Sequence, residues 1–348
     1  MKILSAASAF PEYYYTQRQL IDAFIRHWGP QVHDVRKLEL LHHNVGVDGR
    51  YLARPIETYV NLTFGEANDI WIETSLRLGE EAIANALAAA GLPADRPGAI
   101  FFVSVTGIAS PSIDARLVNR LKLSKNIRRT PVFGLGCVAG AAGLARAADY
   151  VRAYPDQYAI LLSVELCSLT LQRSDTSPAN LISTGLFGDG AAAVIVAGRD
   201  RPEPGIEIVD SRATFYPDTE DVMGWTISEN GFRIVLSPNV PEVIAGNVGN
   251  DLEALLEPHG LTRADIGSWI LHTGGPKILR STQQALGIDE TALAASWDCL
   301  RRMGNLSSAS VLMVLEETMK ARRPAPGTWS ILGAMGPGFC SELLLLKW

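Results

Sequence analysis

No apolar run in this 348-residue chain approaches the ~20 residues a membrane-spanning helix needs; the longest, such as Ala191–Ala197 and Leu343–Leu346, are far shorter. The amino terminus has no basic flank followed by a continuous apolar stretch, so neither a leader nor a membrane span is expected, and the expected compartment is the cytoplasm. Cysteine is scarce. Cys137, Cys167, Cys299 and Cys340 are neither closely paired nor spaced like metal ligands, which argues for reduced thiols and against a disulfide framework or a zinc site. Positive charge is in deficit as well. A net charge of -6 speaks against a nucleic-acid surface, and an anionic ligand would need a local basic patch.

What the chain does have is apolar material, 47% hydrophobic against 20% charged, enough for a large core. Strand-like segments (99–105, 158–164, 191–197, 269–271 and 329–332) alternate with helical patterns, which predicts an α/β fold with helices covering a largely buried sheet. Ile72, Leu76, Ile83 and Leu87 recur at helical spacing over 71–90, before Gly91 and Pro93 stop the helix. The charged stretch 199–204 carries two prolines and reads as a solvated connection, so the domains are expected at 1–200 and 201–348.

The two sides of that connection repeat each other. A strand ending at Thr106 is followed by a helix starting at Gly136-Cys137, a strand at Tyr158 and a Gly188-Asp-Gly-Ala-Ala-Ala segment. Beyond the connection, a strand ending at His272-Thr273 is followed at nearly the same spacing by a helix starting at Gly304-Asn305, a strand at Trp329 and Gly336-Pro-Gly-Phe-Cys. The first copy carries an insertion over 168–187, where substrate contacts are expected. If the copies pack about a pseudo-twofold axis, Cys137 and Asn305 face each other and His272 enters beside them.

Cys137 stands where an apolar strand gives way to a helix of tiny residues. Free backbone N–H groups, the positive helix end and a nearby imidazole would each favour a thiolate there. Each residue has a plainer reading: Cys137 as a small buried apolar group, Asn305 as a cap on a helix over 307–319, and His272 as a satisfied strand-end histidine. Taken together, a Cys, a His and an Asn around one cavity suit acyl transfer through a thioester, with His272 and Asn305 donating hydrogen bonds to a carbonyl oxygen that gains negative charge. No metal or redox cofactor is required for that chemistry.

Phe-Gly-Leu-Gly-Cys137-Val-Ala-Gly, Leu-Phe187-Gly-Asp-Gly-Ala-Ala-Ala, His272-Thr-Gly-Gly-Pro, Gly-Asn305-Leu-Ser-Ser-Ala-Ser and Gly336-Pro337-Gly338-Phe resemble, as a set and over nearly the whole chain, a type III polyketide synthase of the chalcone synthase superfamily. The resemblance implies a thiolase fold of two pseudo-symmetric βα halves in an α-β-α-β-α layered core. It further implies a homodimer and free acyl-coenzyme A and malonyl-coenzyme A as substrates, without an acyl carrier protein. Carried over by position, Cys137 accepts the acyl group, His272 and Asn305 serve decarboxylation and condensation, and Phe187 is the aromatic gate between coenzyme A tunnel and reaction cavity. Thr106, Cys167, Thr170, Trp225, Ile234, Gly336, Pro337 and Gly338 are the expected substrate-binding or gate positions.

Cys167 and Thr170 stand where plant members carry two threonines, and Trp225 and Ile234 fall near a plant glycine and phenylalanine. With Thr106-Gly-Ile-Ala-Ser-Pro and Val-Gly-Val-Asp-Gly-Arg50-Tyr51, this wording is more similar to bacterial enzymes making alkylpyrones or alkylresorcinols from fatty acyl starters. Cys167 would open a tunnel for an alkyl chain and Trp225 would close one. Lys277 is the candidate contact for a coenzyme A phosphate, against the alternative of a solvated lysine.

Rival readings are a β-ketoacyl carrier-protein synthase III with the same three residues, and a papain-like protease sharing the order Cys, His, Asn but not the Cys-Gly-Ser-Cys-Trp surroundings. A catalytically silent interaction protein on the same scaffold is a further alternative. From another class, Gly134-Leu-Gly136-Cys-Val-Ala-Gly140 followed by Glu165 resembles the glycine loop and ribose contact of a dinucleotide-binding oxidoreductase.

Overall fold

The computed structural model describes residues 1–28 and 35–348, among which lie thirteen strands and ten α-helices. The first part of the chain forms β1 (Lys2–Ala9), β2 (Tyr13–Thr16), α1 (Gln17–Trp28), α2 (Val35–Asn44), β3 (Gly49–Leu52), α3 (Phe64–Ala90), β4 (Ala99–Val103), α4 (Ile113–Arg120), β5 (Arg128–Val132), α5 (Ala139–Ala153), β6 (Tyr158–Leu166), α6 (Pro178–Leu186) and β7 (Asp189–Ala197). The remainder forms β8 (Ile206–Phe215), β9 (Met223–Ser228), β10 (Gly231–Leu236), α7 (Val240–Leu256), β11 (Ile266–Leu271), α8 (Pro276–Leu286), α9 (Ala294–Met303), α10 (Ala309–Ala321), β12 (Trp329–Gly336) and β13 (Cys340–Lys347).

Nine strands make one sheet in the order β11-β12-β13-β8-β1-β7-β6-β4-β5. Its two wings meet at β1 and β8, which pair through only Lys2–Glu207 and Ile3–Ile206. Period-two alternation sorts the side chains of each wing into layers. On β6, Ile160, Leu162 and Val164 pack with α3, while Ala159 and Leu161 face the opposite way, onto α5. On β13, Leu344 and Leu346 join that same inner cluster with α10, while Leu343 and Leu345 face α7 and α8. The result is helix, sheet, helix, sheet, helix: the thiolase fold, with α5 and α10 as its middle layer.

The middle layer is tight because glycine permits it. A Cβ at Gly140 in α5 would lie 2.2 Å from the Ser308 carbonyl oxygen and 2.7 Å from Val311 Cγ1 of α10, so only a residue without a side chain allows this approach.

The repeat is present with corrections at its element ends. β4 stops at Val103, short of Thr106, and α10 starts at Ala309, leaving Asn305 in the preceding loop. The first wing has five strands and the second four, since nothing in the second matches edge strand β5. The helix expected over 71–90 starts at Phe64. A capping box, Thr63 with Glu66, satisfies its first N–H groups, and Gly91 ends it at φ 65°. The insertion after β6 contains α6. No helix among the described residues is long and apolar enough to cross a membrane.

Candidate active site

Cys137 lies in a single 3-10 turn, Gly136–Val138, that leads directly into α5. Gly136 turns the chain at φ 54°, and a Cβ there would meet Pro337 at 2.8 Å, so the β12–β13 turn is packed against the cysteine loop. His272 follows the last residue of β11, with its backbone N–H held by the Gly333 carbonyl at 3.0 Å. Asn305 sits between α9 and α10.

These three residues, from three separate elements, line one cavity of about 520 Å³. They are 7%, 8% and 2% exposed, in chain order, so each presents a side chain to an interior space rather than to bulk water. Its walls are otherwise largely apolar: Val45, Ile182 and Leu186 on one side, Val240, Ile244 and Phe339 on the other.

The side chains have distinct electrostatic settings. Burial pushes the Cys137 thiol up to about 12, partly offset by its hydrogen bond to Ser307 Oγ at 3.7 Å. Burial pushes the His272 imidazole down to about 4, and Nδ1 has no hydrogen-bond partner among the described residues. Burial thus favours an uncharged thiol and an uncharged imidazole on the wall of the same cavity, against the thiolate expected from the helix end and a nearby imidazole. Asn305 Oδ1 accepts the Ser307 N–H at 2.8 Å, an Asx turn entering α10. Asn305 does not cap α10, whose N-cap is Ser308; its oxygen turns the loop before the helix, and the NH2 group is left to serve the cavity.

Phe187 follows α6 and lines two spaces: the large cavity and a chamber of about 60 Å³ on its other side. Cys167, Thr170, Trp225 and Ile234 all line the small chamber, with Trp225 and Ile234 as direct cross-strand partners. Lys277 lies on the wall of the large cavity at the start of α8, and is exposed.

Four expected positions line neither cavity. The Thr106 hydroxyl donates to Glu165 at 2.9 Å and accepts the Leu166 N–H at 2.9 Å, so it is consumed by the fold. Gly336, Pro337 and Gly338 form the turn that buttresses the cysteine loop, while their neighbours Met335 and Phe339 reach the cavity.

Glu165 is fully buried, holds Thr106, the Val105 N–H and Ser308, and is pushed up to about 7 by burial; no ribose could reach it. The dinucleotide reading fails on that placement. Among the described residues, no group of three or more His, Cys, Asp or Glu side chains is placed to hold a metal ion.

Sequence reasoning missed Ser307 beside the thiol, and Tyr59, Asn180 and Thr184 in the chamber. Arg50, part of the Val-Gly-Val-Asp-Gly-Arg-Tyr string, also lines the chamber. Its signal is burial, which a single arginine in a glycine-flanked segment does not announce.

Both parts of one family match the chain: the N-terminal domain of the chalcone and stilbene synthases over residues 1–200, and their C-terminal domain over residues 207–348. A 1,3,6,8-tetrahydroxynaphthalene synthase of Streptomyces peucetius subsp. caesius is 48% identical over 99% of this chain and 93% of its own length. The alpha-pyrone synthesis polyketide synthase-like Pks18 of Mycobacterium tuberculosis is 35% identical over 74% of this chain and 67% of its own. Among solved structures, the 1,3,6,8-tetrahydroxynaphthalene synthase of Streptomyces coelicolor A3(2), a bacterial type III polyketide synthase, superposes with a TM-score of 0.94 at 30% identity, covering 100% of this chain and 99% of that one.

Proposed function

Because this chain belongs to the chalcone and stilbene synthase family of type III polyketide synthases, we propose that Cys137, His272 and Asn305 carry out its acyl transfer and condensation. As a member it is a condensing acyltransferase. The observation that carries the assignment of roles is the convergence of the three side chains on one cavity.

His272 takes the thiol proton as the Cys137 sulfur attacks the carbonyl carbon of an acyl-coenzyme A. The proton then leaves with the coenzyme A thiolate. Malonyl-coenzyme A next binds in the same cavity and loses its carboxyl group as carbon dioxide. The electron pair left behind forms an enolate, whose oxygen is held by hydrogen bonds from Asn305 Nδ2 and the imidazole. The enolate carbon attacks the Cys137 thioester, forming a carbon–carbon bond and releasing the sulfur. Repetition of these steps builds a poly-β-keto chain. Residues 1–200 supply the nucleophile and 201–348 supply the two hydrogen-bonding groups, in a cytoplasmic homodimer that needs neither carrier protein nor redox cofactor.

For the product, we favour a short chain made from malonyl units that closes to a polyhydroxylated aromatic. Two observations support this: the 48% identity to a tetrahydroxynaphthalene synthase, and the small size of the chamber beyond Phe187, about 60 Å³, with Trp225 and Ile234 in its wall. A second reading, an alkylpyrone or alkylresorcinol from a fatty acyl starter, is favoured by the apolar walls of the large cavity and the likeness to the alpha-pyrone synthase-like protein. Incubation with malonyl-coenzyme A alone, and then with a ladder of acyl starters, separates the two by product mass. Aromatic product from malonyl-coenzyme A alone supports the first, and product only when a long-chain starter is added supports the second.

A further inference from the structure

We propose that Arg50, together with Gln17 and His42, is a buried clamp on the end of α6 that positions Phe187 between the large cavity and the small chamber. The inference rests on the proposed condensing function and asks what holds its aromatic partition in place.

The last carbonyls of a helix lack intrahelical partners and attract cations. Those of Thr184 and Gly185 in α6 are met by two side chains from outside the insertion, and a third braces the turn before them. Arg50 on β3 is 2% exposed, and its guanidinium donates to the Gly185 carbonyl at 2.8 Å and to the Thr184 carbonyl. Gln17 of α1 accepts a second hydrogen bond from Arg50 at 2.6 Å and donates to Gly185 at 3.1 Å and to the His42 carbonyl at 2.8 Å. His42 of α2 reaches Leu181 at 3.1 Å and the Thr184 hydroxyl at 3.2 Å through Nε2.

A buried arginine with no carboxylate in salt-bridge contact among the described residues is an expensive way to fill space. Burial lowers Arg50 to about 10 against the attraction of Asp189, so the group stays charged at neutral pH. That charge is directed at the two carbonyls immediately before Leu186 and Phe187. The segment after Phe187 is held from the same strand region: Asp189 accepts the Ala53 N–H at 2.6 Å and the Ser168 N–H at 2.8 Å. The arginine stem also passes along Gly188, where a Cβ would lie 3.2 Å from Arg50 Cβ. One short strand and its exit therefore fix the chain on both sides of the partition. Arg50 is a positioning residue, acting on the growing chain through Phe187.

The test is a coupling ratio, full-length product formed per carbon dioxide released from malonyl-coenzyme A, measured in wild type, Arg50→Gln, Arg50→Lys and Gln17→Leu. A loose partition lets chains leave early, so the ratio falls about tenfold in Arg50→Gln, since small misplacements in a reacting assembly cost on that order or more. It falls less in Arg50→Lys, which keeps the charge but loses the two-pronged grip, and moves the same way in Gln17→Leu. Loss of folded protein lowers both quantities and leaves the ratio unmoved. An unchanged ratio in folded Arg50→Gln and Gln17→Leu overturns the clamp, and if Arg50→Gln does not fold, the same ratio in Arg50→Lys and Gln17→Leu decides. Wild-type protein that makes no product from malonyl-coenzyme A either alone or with any acyl starter would instead overturn the synthase reading itself.

Discussion

Phe187 and Asn305 are joined backbone to backbone: the Asn305 N–H donates to the Leu186 carbonyl at 2.9 Å and the Gly188 N–H to the Asn305 carbonyl at 3.0 Å, a parallel bridge outside the main sheet. The backbones that carry the Phe187 ring of the first wing and the Asn305 carboxamide of the second are thus tied together. Positions more than a hundred residues apart in sequence line the same large cavity, and substitutions at either have consequences that can be separated.

Asn305→Ala removes the carboxamide but leaves that backbone bridge. Malonyl-coenzyme A decarboxylation is expected to fall about a hundredfold to a thousandfold, the usual cost of one oxyanion donor. Loss of the Asx turn onto Ser307 costs about 1 kcal/mol of stability. Carbon dioxide release and thermal unfolding, measured on the same preparation, check the two parts.

Phe187→Ala takes away the wall shared by the large cavity and the chamber. Acceptance of longer acyl starters relative to short ones is expected to rise, and product masses to spread. Competition between starters in one reaction, read by mass spectrometry, measures it; an unchanged preference would deny Phe187 its dividing role.

Replacing Gly140 by alanine drives a Cβ into the Ser308 carbonyl at the contact of α5 with α10. Overpacking of this kind costs about 1–3 kcal/mol. Chemical denaturation should show that loss, and because Cys137 precedes α5 and Asn305 precedes α10, the small activity left at low temperature should fall as well.

His272 has its imidazole lowered from the ordinary 6.5 to about 4 by burial, so between those values the unfolded chain binds more protons than the folded one. Its contribution to stability is complete above pH 6.5 and is lost as pH falls through 4. Relative to His272→Gln, in which that group is absent, wild type should lose up to about 3 kcal/mol between pH 6.5 and pH 4 and hold a constant difference above pH 6.5. Urea unfolding of both proteins across that range tests the sign as well as the size.

Much of this architecture was legible because two copies of one pattern lie along the chain. The strand, the glycine turn and the tiny residues after Cys137 recur around Asn305, and that repetition brought His272, Cys137 and Asn305 together before any coordinates did. The period-two signal that sorts β6 and β13 into layers was invisible, since both faces of each strand are buried and their central runs, 159–162 and 343–346, are apolar at every position. Thr106 looked like a pocket residue and is instead spent on Glu165, because a hydroxyl's partner is set by what folds beside it. Thr63 and Glu66 carried a readable start for α3 that periodicity alone placed seven residues late. Arg50 and Gln17 could not be found by spacing: they meet because β2, which Gln17 directly follows, pairs with β3, and both side chains then reach the end of α6.

The most direct test of the account is where the acyl group resides. Brief incubation with an acyl-coenzyme A, rapid quenching and peptide mapping by mass spectrometry should place one acyl group on the peptide bearing Cys137 and none on those bearing Cys167, Cys299 or Cys340, and Cys137→Ser should abolish it. Turnover with the acyl group on another cysteine, or undiminished turnover in Cys137→Ser, would contradict the account.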